Sequence, residues 1–120
     1  MKLTIGKDDV RAIQDKYGGT NAVAGYVEEA KLFNIPLPKY YVMVLDDEKL
    51  TLVQMNMSFK EVAVDTVPLN EVTRVKVSGA LVKKIVLETN DKTYKLNLKP
   101  LAVGLGDIQK TLLARIEDLA

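Results

Sequence analysis

The 120-residue sequence contains no cysteine, no histidine and no tryptophan. Without cysteine the chain forms no disulfide and offers neither a thiolate nucleophile nor a cysteine-ligated zinc or iron–sulfur site. Without histidine it has no imidazole metal ligand and no Ser–His or Cys–His catalytic pair. Catalysis would depend on carboxylates, lysines, tyrosines and two serines, and no spacing brings two carboxylates together as a glycoside hydrolase requires. We therefore expect no enzymatic activity, no cofactor and no metal site.

The sequence also has little net charge and no long hydrophobic run. Its 17 Lys and Arg against 16 Asp and Glu give a net charge of +1, so no overall field recruits nucleic acid, and no nucleic-acid partner is expected. The longest uncharged stretches, 17–27 and 50–59, are far shorter than the ~18 apolar residues of a membrane span. Lys7, Asp8 and Asp9 interrupt the amino-terminal segment before the apolar region of a signal peptide develops. No transmembrane segment is predicted, and the expected location is the cytoplasm.

The sequence does contain enough apolar material for one core, because 48% of its residues are hydrophobic and 28% are charged. A short amphipathic helix is predicted before residue 18. Its apolar residues recur at helical spacing and form one stripe: Val10, Ile13 and Tyr17. Asp8 or Asp9 is the predicted N-cap. Gly18 and Gly19 are expected to end the helix by adopting the left-handed conformation.

From residue 26 the apolar period changes to two, and seven strands separated by turn residues are predicted. Their predicted ranges are 26–33, 40–45, 50–57, 59–66, 72–78, 85–89 and 93–98. The first is the least regular, because residues 28–31 fit a helix equally well. The last is the cleanest, because Tyr94, Leu96 and Leu98 alternate with polar residues. Turn signals such as Asn90-Asp91 indicate hairpin connections between antiparallel strands.

A second amphipathic helix is predicted at the carboxyl end, after Gly104 and Gly106, with Asp107 as its N-cap. Its predicted apolar face comprises Ile108, Leu112, Ile116 and Leu119, and its predicted polar face comprises Gln109, Lys110, Arg115 and Glu117. A meander of seven strands is too long to stay flat, so it curls or splits into two packed sheets with an open end. We expect the second helix to close that end, giving an α+β, mainly β, fold.

The order of these elements and three of the segments resemble bacterial pleckstrin-homology-like (PH-like, or GRAM-like) domains. Residues 40–52, two hydrophobic strands around a polar turn, resemble the second and third strands of that family. Residues 67–75, with a proline, a leucine, an acidic residue and spaced valines, resemble its connector into the fifth strand. Residues 85–98 resemble its last hairpin. The resemblance extends over residues 22–119.

The resemblance implies a PH-like split barrel of about seven antiparallel strands with a carboxyl-terminal capping helix and a short amino-terminal helix. It divides the chain into a helical extension, residues 1–21, and a PH-like domain, residues 22–120. Family members bind lipids, peptides or proteins, and some bacterial members assemble into rings, so the fold alone does not identify the ligand. Phosphoinositide-binding members carry several Lys and Arg between the first two strands, where residues 34–40 of this sequence offer only Lys39.

The predicted hairpin of residues 40–57 is apolar on both faces. A sandwich core covers only one face, so the other needs a cover. The residues of this outer face are Tyr40, Val42, Val44, Val53, Met55 and Met57. Either the amino-terminal helix covers them, or a protein partner or second copy does. Our leading hypothesis is a non-enzymatic interaction module that self-associates into a homo-oligomer or docks a protein through this face.

Residues 72–99 form a basic strip, with seven Lys and Arg against Glu88 and Asp91. The candidate anion-binding residues are Arg74, Lys76, Lys84, Lys95 and Lys99. If the last three strands form one sheet, these side chains lie on its outer face. The alternative functional hypothesis is a peripheral membrane module that binds anionic lipid weakly through this strip. The strip is also explained as a solvated face whose lysines block edge pairing.

Two further motifs have structural explanations. Asp46-Asp47-Glu48 carries three carboxylates, but no EF-hand-type loop follows, so a solvated hairpin turn is predicted rather than a cation site. Gly104-Leu105-Gly106 precedes a helix but lacks the further residues of a dinucleotide fingerprint or a P-loop. We therefore predict that it serves as a turn and a cap.

Overall fold

The computed structural model describes residues 5–30, 38–102 and 104–120 of the chain. Within that part the chain forms a helix, seven strands and a second helix, with a short 3-10 helix, Leu69–Glu71, between the fourth and fifth strands. The elements are α1 (Lys7–Tyr17), β1 (Val23–Glu29), β2 (Tyr40–Leu45), β3 (Lys49–Met55), β4 (Glu61–Pro68), β5 (Val72–Ser78), β6 (Lys83–Thr89), β7 (Thr93–Leu98) and α2 (Gly106–Glu117).

All seven strands belong to one antiparallel sheet in the order β4-β3-β2-β1-β7-β6-β5. The junction between β1 and β7 is short, with Glu28 opposite Asn97 and Glu29 opposite Leu96. The sheet therefore consists of a four-stranded part and a three-stranded part that meet at these few residues. This architecture confirms the predicted fold class, a mainly β fold of seven antiparallel strands with a helix at each end.

The inner face of the sheet and α2 enclose the main hydrophobic core. Met43 on β2 lies opposite Leu52 on β3, and both side chains are buried in it. Leu112, Leu113 and Ile116 of α2 pack into the same cluster. Of the apolar stripe predicted for the second helix, Leu112 and Ile116 therefore cover the inside of the curved sheet. Ile108 packs against the second hydrophobic cluster instead, and Leu119 is exposed.

Gln109 lies in the core, so its predicted place on the polar face of α2 is wrong. The side chain is 0% exposed. Its Oε1 accepts a hydrogen bond from the Tyr26 N–H at 2.7 Å, and its Nε2 donates to the carbonyls of Tyr26 at 2.8 Å and Lys99 at 3.3 Å. Because β7 pairs with β1 only at Glu28 and Glu29, the amide takes the place of a strand partner at Tyr26.

Helix α1 packs on the outer face of the sheet and builds a second hydrophobic layer. Val10 and Ile13 of α1 are buried against Val42 and Val53. At the far end of α1, the Lys16 ammonium bonds to the Glu61 carboxylate of β4 at 3.1 Å. The helix thus spans the four-stranded part of the sheet and is fixed to its edge strand.

The ends of α1 differ from the prediction. Its N-cap is Gly6, whose N–H donates to the Asp9 carboxylate at 2.8 Å, so Asp9 lies in the first turn. Gly18 ends the helix with φ −81°, outside the left-handed region. The glycine is needed for space instead, because a Cβ there would lie 2.5 Å from the Ala22 Cβ and 2.6 Å from the Gln14 carbonyl oxygen.

Several strand ends also differ from the prediction, while the bounds of β2, β5 and β7 agree with it. Strand β1 begins three residues earlier than predicted, and it is a strand at Glu28 and Glu29, where a helix was the alternative. Predicted residues 31–33 of that strand lie outside the described part. Strand β3 ends at Met55 because the Asn56 Oδ1 accepts hydrogen bonds from the N–H groups of Ser58 and Lys60 and forms a turn.

Candidate functional site

The predicted outer-face interface is covered by the chain itself. Val42 and Val53 are 0% exposed, Val44 is 1% exposed and Met55 is 4% exposed. They lie in the hydrophobic layer formed with α1. Of the two covers that the sequence allowed, the amino-terminal helix is therefore the one observed. These four side chains are therefore not available on the surface of the folded chain.

Tyr40 and Met57 lie at the margin of that face. Tyr40 is half-buried and stacks on Tyr26, with ring centroids 6.1 Å apart. Burial raises the pKa of the Tyr26 hydroxyl well above its usual range, so this group stays neutral. Met57 is 78% exposed. With Phe59 these residues border a small cavity of about 280 Å³.

The predicted basic strip lies on the outer surface of β5, β6 and β7. Between β5 and β6, Arg74 lies opposite Glu88, Lys76 opposite Val86, and Ser78 opposite Lys84. Between β6 and β7, Val86 lies opposite Lys95. Residues directly opposite each other on neighbouring strands point to the same side of a sheet. Arg74, Lys76, Lys84 and Lys95 therefore share one surface, which we call the basic face.

The cations of the basic face are exposed and without carboxylate partners. Within residues 5–30, 38–102 and 104–120, no ion pair engages Arg74, Lys76, Lys84 or Lys95. Lys99 differs, because its ammonium lies 3.7 Å from the Glu28 carboxylate at the end of β7. Four of the five predicted anion-binding residues are thus brought together unpaired, and Lys99 lies at the border.

An apolar groove that the sequence did not predict adjoins the basic face. It has a volume of about 610 Å³. Its apolar walls include Tyr26, Phe59, Leu81, Val82, Leu101 and Leu105. The Glu28–Lys99 pair also lines it, so the groove borders the row of the sheet that contains Asn97 and Lys84. Leu81 and Leu101 were not predicted as site residues because both lie outside the periodic segments, in the connections after β5 and β7. The apolar pair Leu81-Val82 within the turn after Gly79 is the sequence signal that could have indicated an exposed apolar site.

The acidic residues form the predicted turn between β2 and β3, with Asp47 and Glu48 exposed, but Asp46 is buried rather than solvated. Asp46 is 2% exposed, and its carboxylate accepts hydrogen bonds from the N–H groups of Gly19, Glu48 and Lys49, each at 2.8 Å. The Lys49 ammonium lies 2.6 Å away. Burial alone would raise the pKa of Asp46, but these hydrogen bonds outweigh it and hold the pKa well below its usual range. Among the described residues no cluster of three acidic side chains could hold a metal ion.

Charged residues of β4 and β7 and of the turn before β7 compensate one another beside a second cavity. The Tyr94 hydroxyl donates to the Asp65 carboxylate at 2.5 Å, and the Lys92 ammonium lies 3.6 Å from the same carboxylate. Desolvation and this hydrogen bond raise the pKa of Tyr94. These three residues, together with Lys39 and Glu29, line a cavity of about 310 Å³. Lys92 therefore has an ion-pair partner here, whereas the structure gives none within the described residues to Arg74, Lys76, Lys84 or Lys95.

The glycine pair before α2 acts as a turn. Gly104 has φ +77°, and α2 begins at Gly106 with Leu105 as its N-cap, so the predicted cap Asp107 lies in the first turn. The Asp107 carboxylate forms an ion pair with Lys7 of α1, whose Nζ lies 3.3 Å from the Asp107 Oδ2. Neither helix in the described part of the chain combines the length and hydrophobicity that a bilayer crossing requires.

A family model described as a bacterial PH domain matches residues 17–102. The chain is also similar to the solution structure of the N-terminal PH domain of the human ARAP2 protein, with 12% sequence identity, a TM-score of 0.49, and 86% of this chain and 84% of that chain covered. No curated protein matches the sequence.

Proposed function

The chain belongs to the bacterial PH domain family, and from this premise we propose that it is a non-enzymatic module that docks on anionic membrane surfaces through the basic face. PH domains are in general protein- or lipid-binding modules. The proposal places the module in the cytoplasm, where the anionic lipids of the inner leaflet attract clustered Lys and Arg.

The observation that carries the proposal is the set of four unpaired cations on one surface of a nearly neutral chain. Arg74, Lys76, Lys84 and Lys95 are all exposed, and the strand register aligns them. Two carboxylates lie on the same side of the sheet: Glu88, opposite Arg74, and Glu28, which is opposite Asn97 and paired with Lys99. Each Lys or Arg held near an anionic surface contributes about 1 kcal/mol of attraction. The basic face, rather than the net charge of +1, therefore supplies the attraction.

The form of the basic face favours a lipid surface over a single enclosed headgroup. Its cations come from three neighbouring strands and point outward from the sheet. In the cavity lined by Tyr94 and Asp65, by contrast, the Lys92 ammonium is paired with Asp65, and the backbone N–H of Lys39 donates to the Glu29 carboxylate. An outward cationic surface meets many headgroups at once and selects for charge rather than for one headgroup structure.

Vesicle binding tests the proposal. We expect the protein to co-sediment with phosphatidylcholine vesicles containing phosphatidylserine, far less with phosphatidylcholine alone, and less as salt shortens the Debye length. The double variant Lys84→Glu, Lys95→Glu should weaken binding at least about tenfold. The control Arg11→Glu, Lys110→Glu makes the same change in net charge at exposed helix positions and should retain most of the binding. Equal losses in both variants, or no binding to anionic vesicles at low salt, would contradict the proposal.

Protein docking is the second candidate, and exposed Met57 beside the Tyr26–Tyr40 stack favours it. The rest of the predicted interface would become available only if α1 left the sheet. A homo-oligomer formed through this margin should give a solution mass above that of the monomer in light scattering. Met57→Asp should lower that mass to the monomer value, and a monomer in both cases would reject this candidate.

A further inference from the structure

Three large apolar side chains lie exposed at one end of the sheet. Leu81 is 79% exposed, Leu101 is 68% exposed and Val82 is 40% exposed. Leu81 and Val82 lie between β5 and β6, whereas Leu101 follows β7. All three line the apolar groove and so form one patch. Large contiguous apolar patches on the surface of a monomeric protein often mark a site that binds a protein or a membrane.

The turn that carries Leu81 has a defined geometry. Gly79 has φ +99°, and a Cβ at this position would lie 2.3 Å from the Val82 carbonyl oxygen, so the turn requires glycine. The Lys83 ammonium donates to the Gly79 carbonyl at 2.8 Å and closes the turn. The exposure of Leu81 is thus a consequence of a specified hairpin.

Cations surround this apolar tip. Lys83 and Lys84 follow it directly, and Lys99 lines the groove. The end of β5, the start of β6 and the end of β7 lie at the same end of the sheet, because Ser78 is opposite Lys84 and Lys83 is opposite Leu98. The basic face begins here and continues along the three strands.

We infer that this end of the sheet inserts into the interface of an anionic bilayer. Leu81, Val82 and Leu101 enter the boundary between headgroups and acyl chains. Lys84, which is exposed and has no ion-pair partner among the described residues, contacts lipid phosphates. Surfaces that combine an apolar part with Lys and Arg bind in this way, because burial and electrostatic attraction act together. The charge complementarity of an apolar tip bordered by cations favours an anionic bilayer over a protein partner. The inference rests on the proposed function and adds an orientation to it.

The absence of tryptophan from the sequence allows a direct test. Leu81→Trp places a single fluorophore at the tip, and Val62→Trp, at a 53% exposed position on the edge strand β4, serves as the matched control. With phosphatidylserine-containing vesicles, we expect the emission of Leu81→Trp to shift to shorter wavelength and to be quenched by brominated acyl chains. The emission of Val62→Trp should not change.

Leu81→Ser with Leu101→Ser should weaken vesicle binding at least about tenfold.

The outcomes separate this inference from the proposed function. If both tryptophan variants co-sediment with anionic vesicles but Leu81→Trp shows neither shift nor quenching, the inference is wrong and the proposed function stands. If no variant and no wild-type protein binds anionic vesicles, both are wrong. If light scattering shows an oligomer that Leu81→Ser dissociates, the tip is a protein contact and the inference is overturned.

Discussion

Asp46 connects three segments of the chain through one buried carboxylate. It accepts hydrogen bonds from Gly19 in the linker after α1, from Glu48 in the hairpin turn, and from Lys49 at the start of β3. The Lys49 ammonium balances its charge. Hydrogen bonds to a charged acceptor are about twice as strong as neutral ones. The residue therefore ties the helix linker to the β2–β3 hairpin as well as forming the turn.

The lowered pKa of Asp46 predicts a loss of stability in acid. Because the folded-state pKa lies below the unfolded value, near 3.8, the stabilisation is complete above the unfolded pKa and disappears as pH falls toward the folded pKa. Asp46→Asn should lower the free energy of unfolding at neutral pH by about 2 kcal/mol and flatten its dependence on pH below 5. Urea unfolding as a function of pH measures both effects. Asp15→Asn, at an exposed position on α1, is the control, and a similar change in that variant would contradict the assignment.

The attachment of α2 to β1 depends on Gln109 and Gly25. A Cβ at Gly25 would lie 2.6 Å from the Gln109 Oε1 and 2.7 Å from the Leu112 Cδ2, so glycine allows the helix to approach the strand. Gln109→Leu would leave the N–H and C=O of Tyr26 without partners. We expect it to reduce the free energy of unfolding by about 3 kcal/mol, because each buried unsatisfied group costs roughly 1–3 kcal/mol. Urea unfolding measures the loss, and Lys110→Leu on the exposed side should change stability by less than ~0.5 kcal/mol. Equal stability of Gln109→Leu and the wild type would show that Tyr26 finds other partners.

The sequence predicts the bounds of some secondary-structure elements, but not the contacts that they make with distant segments. Strands β2, β5 and β7 were predicted with their observed bounds, because continuous or regularly spaced apolar residues there are rich in β-branched and aromatic types and are followed by turn residues. The burial of Gln109 was not predictable, because a glutamine among charged residues indicates an exposed helix face. Its partner Tyr26 lies 83 positions earlier in the chain. Local periodicity contains no information about such a distant contact.

Only part of the candidate site was predicted, because local periodicity does not show which strands are neighbours in the sheet. Alternation placed Arg74 and Lys76 on one side of a strand. It did not show that Lys84 and Lys95 continue the same surface, which depends on the register of three strands. The apolar tip was missed because Leu81 and Leu101 come from two connections that meet only in the folded chain.

For the whole molecule, the sheet has an apolar layer on each side of its four-stranded part. The inner layer is closed by α2 and the outer layer by α1. The sequence predicted that two layers were needed, since residues of both faces of 40–57 are apolar, but not which group covers the second. The family match begins at residue 17, whereas the buried residues Val10 and Ile13 precede it. That residues 1–21 form an extension separate from the domain stays a prediction.

Removal of residues 1–16 tests the role of α1 in the whole molecule. The shortened chain retains the family match but loses the cover of Val42 and Val53, so we expect it to self-associate through the outer face, as light scattering would show. These two residues lie opposite each other on β2 and β3. Replacing both with threonine keeps the β-branched shape while making the face more polar, so Val42→Thr with Val53→Thr should restore the monomer in the shortened chain. A shortened chain that is monomeric and as stable as the full chain would mean that α1 is dispensable for the outer layer.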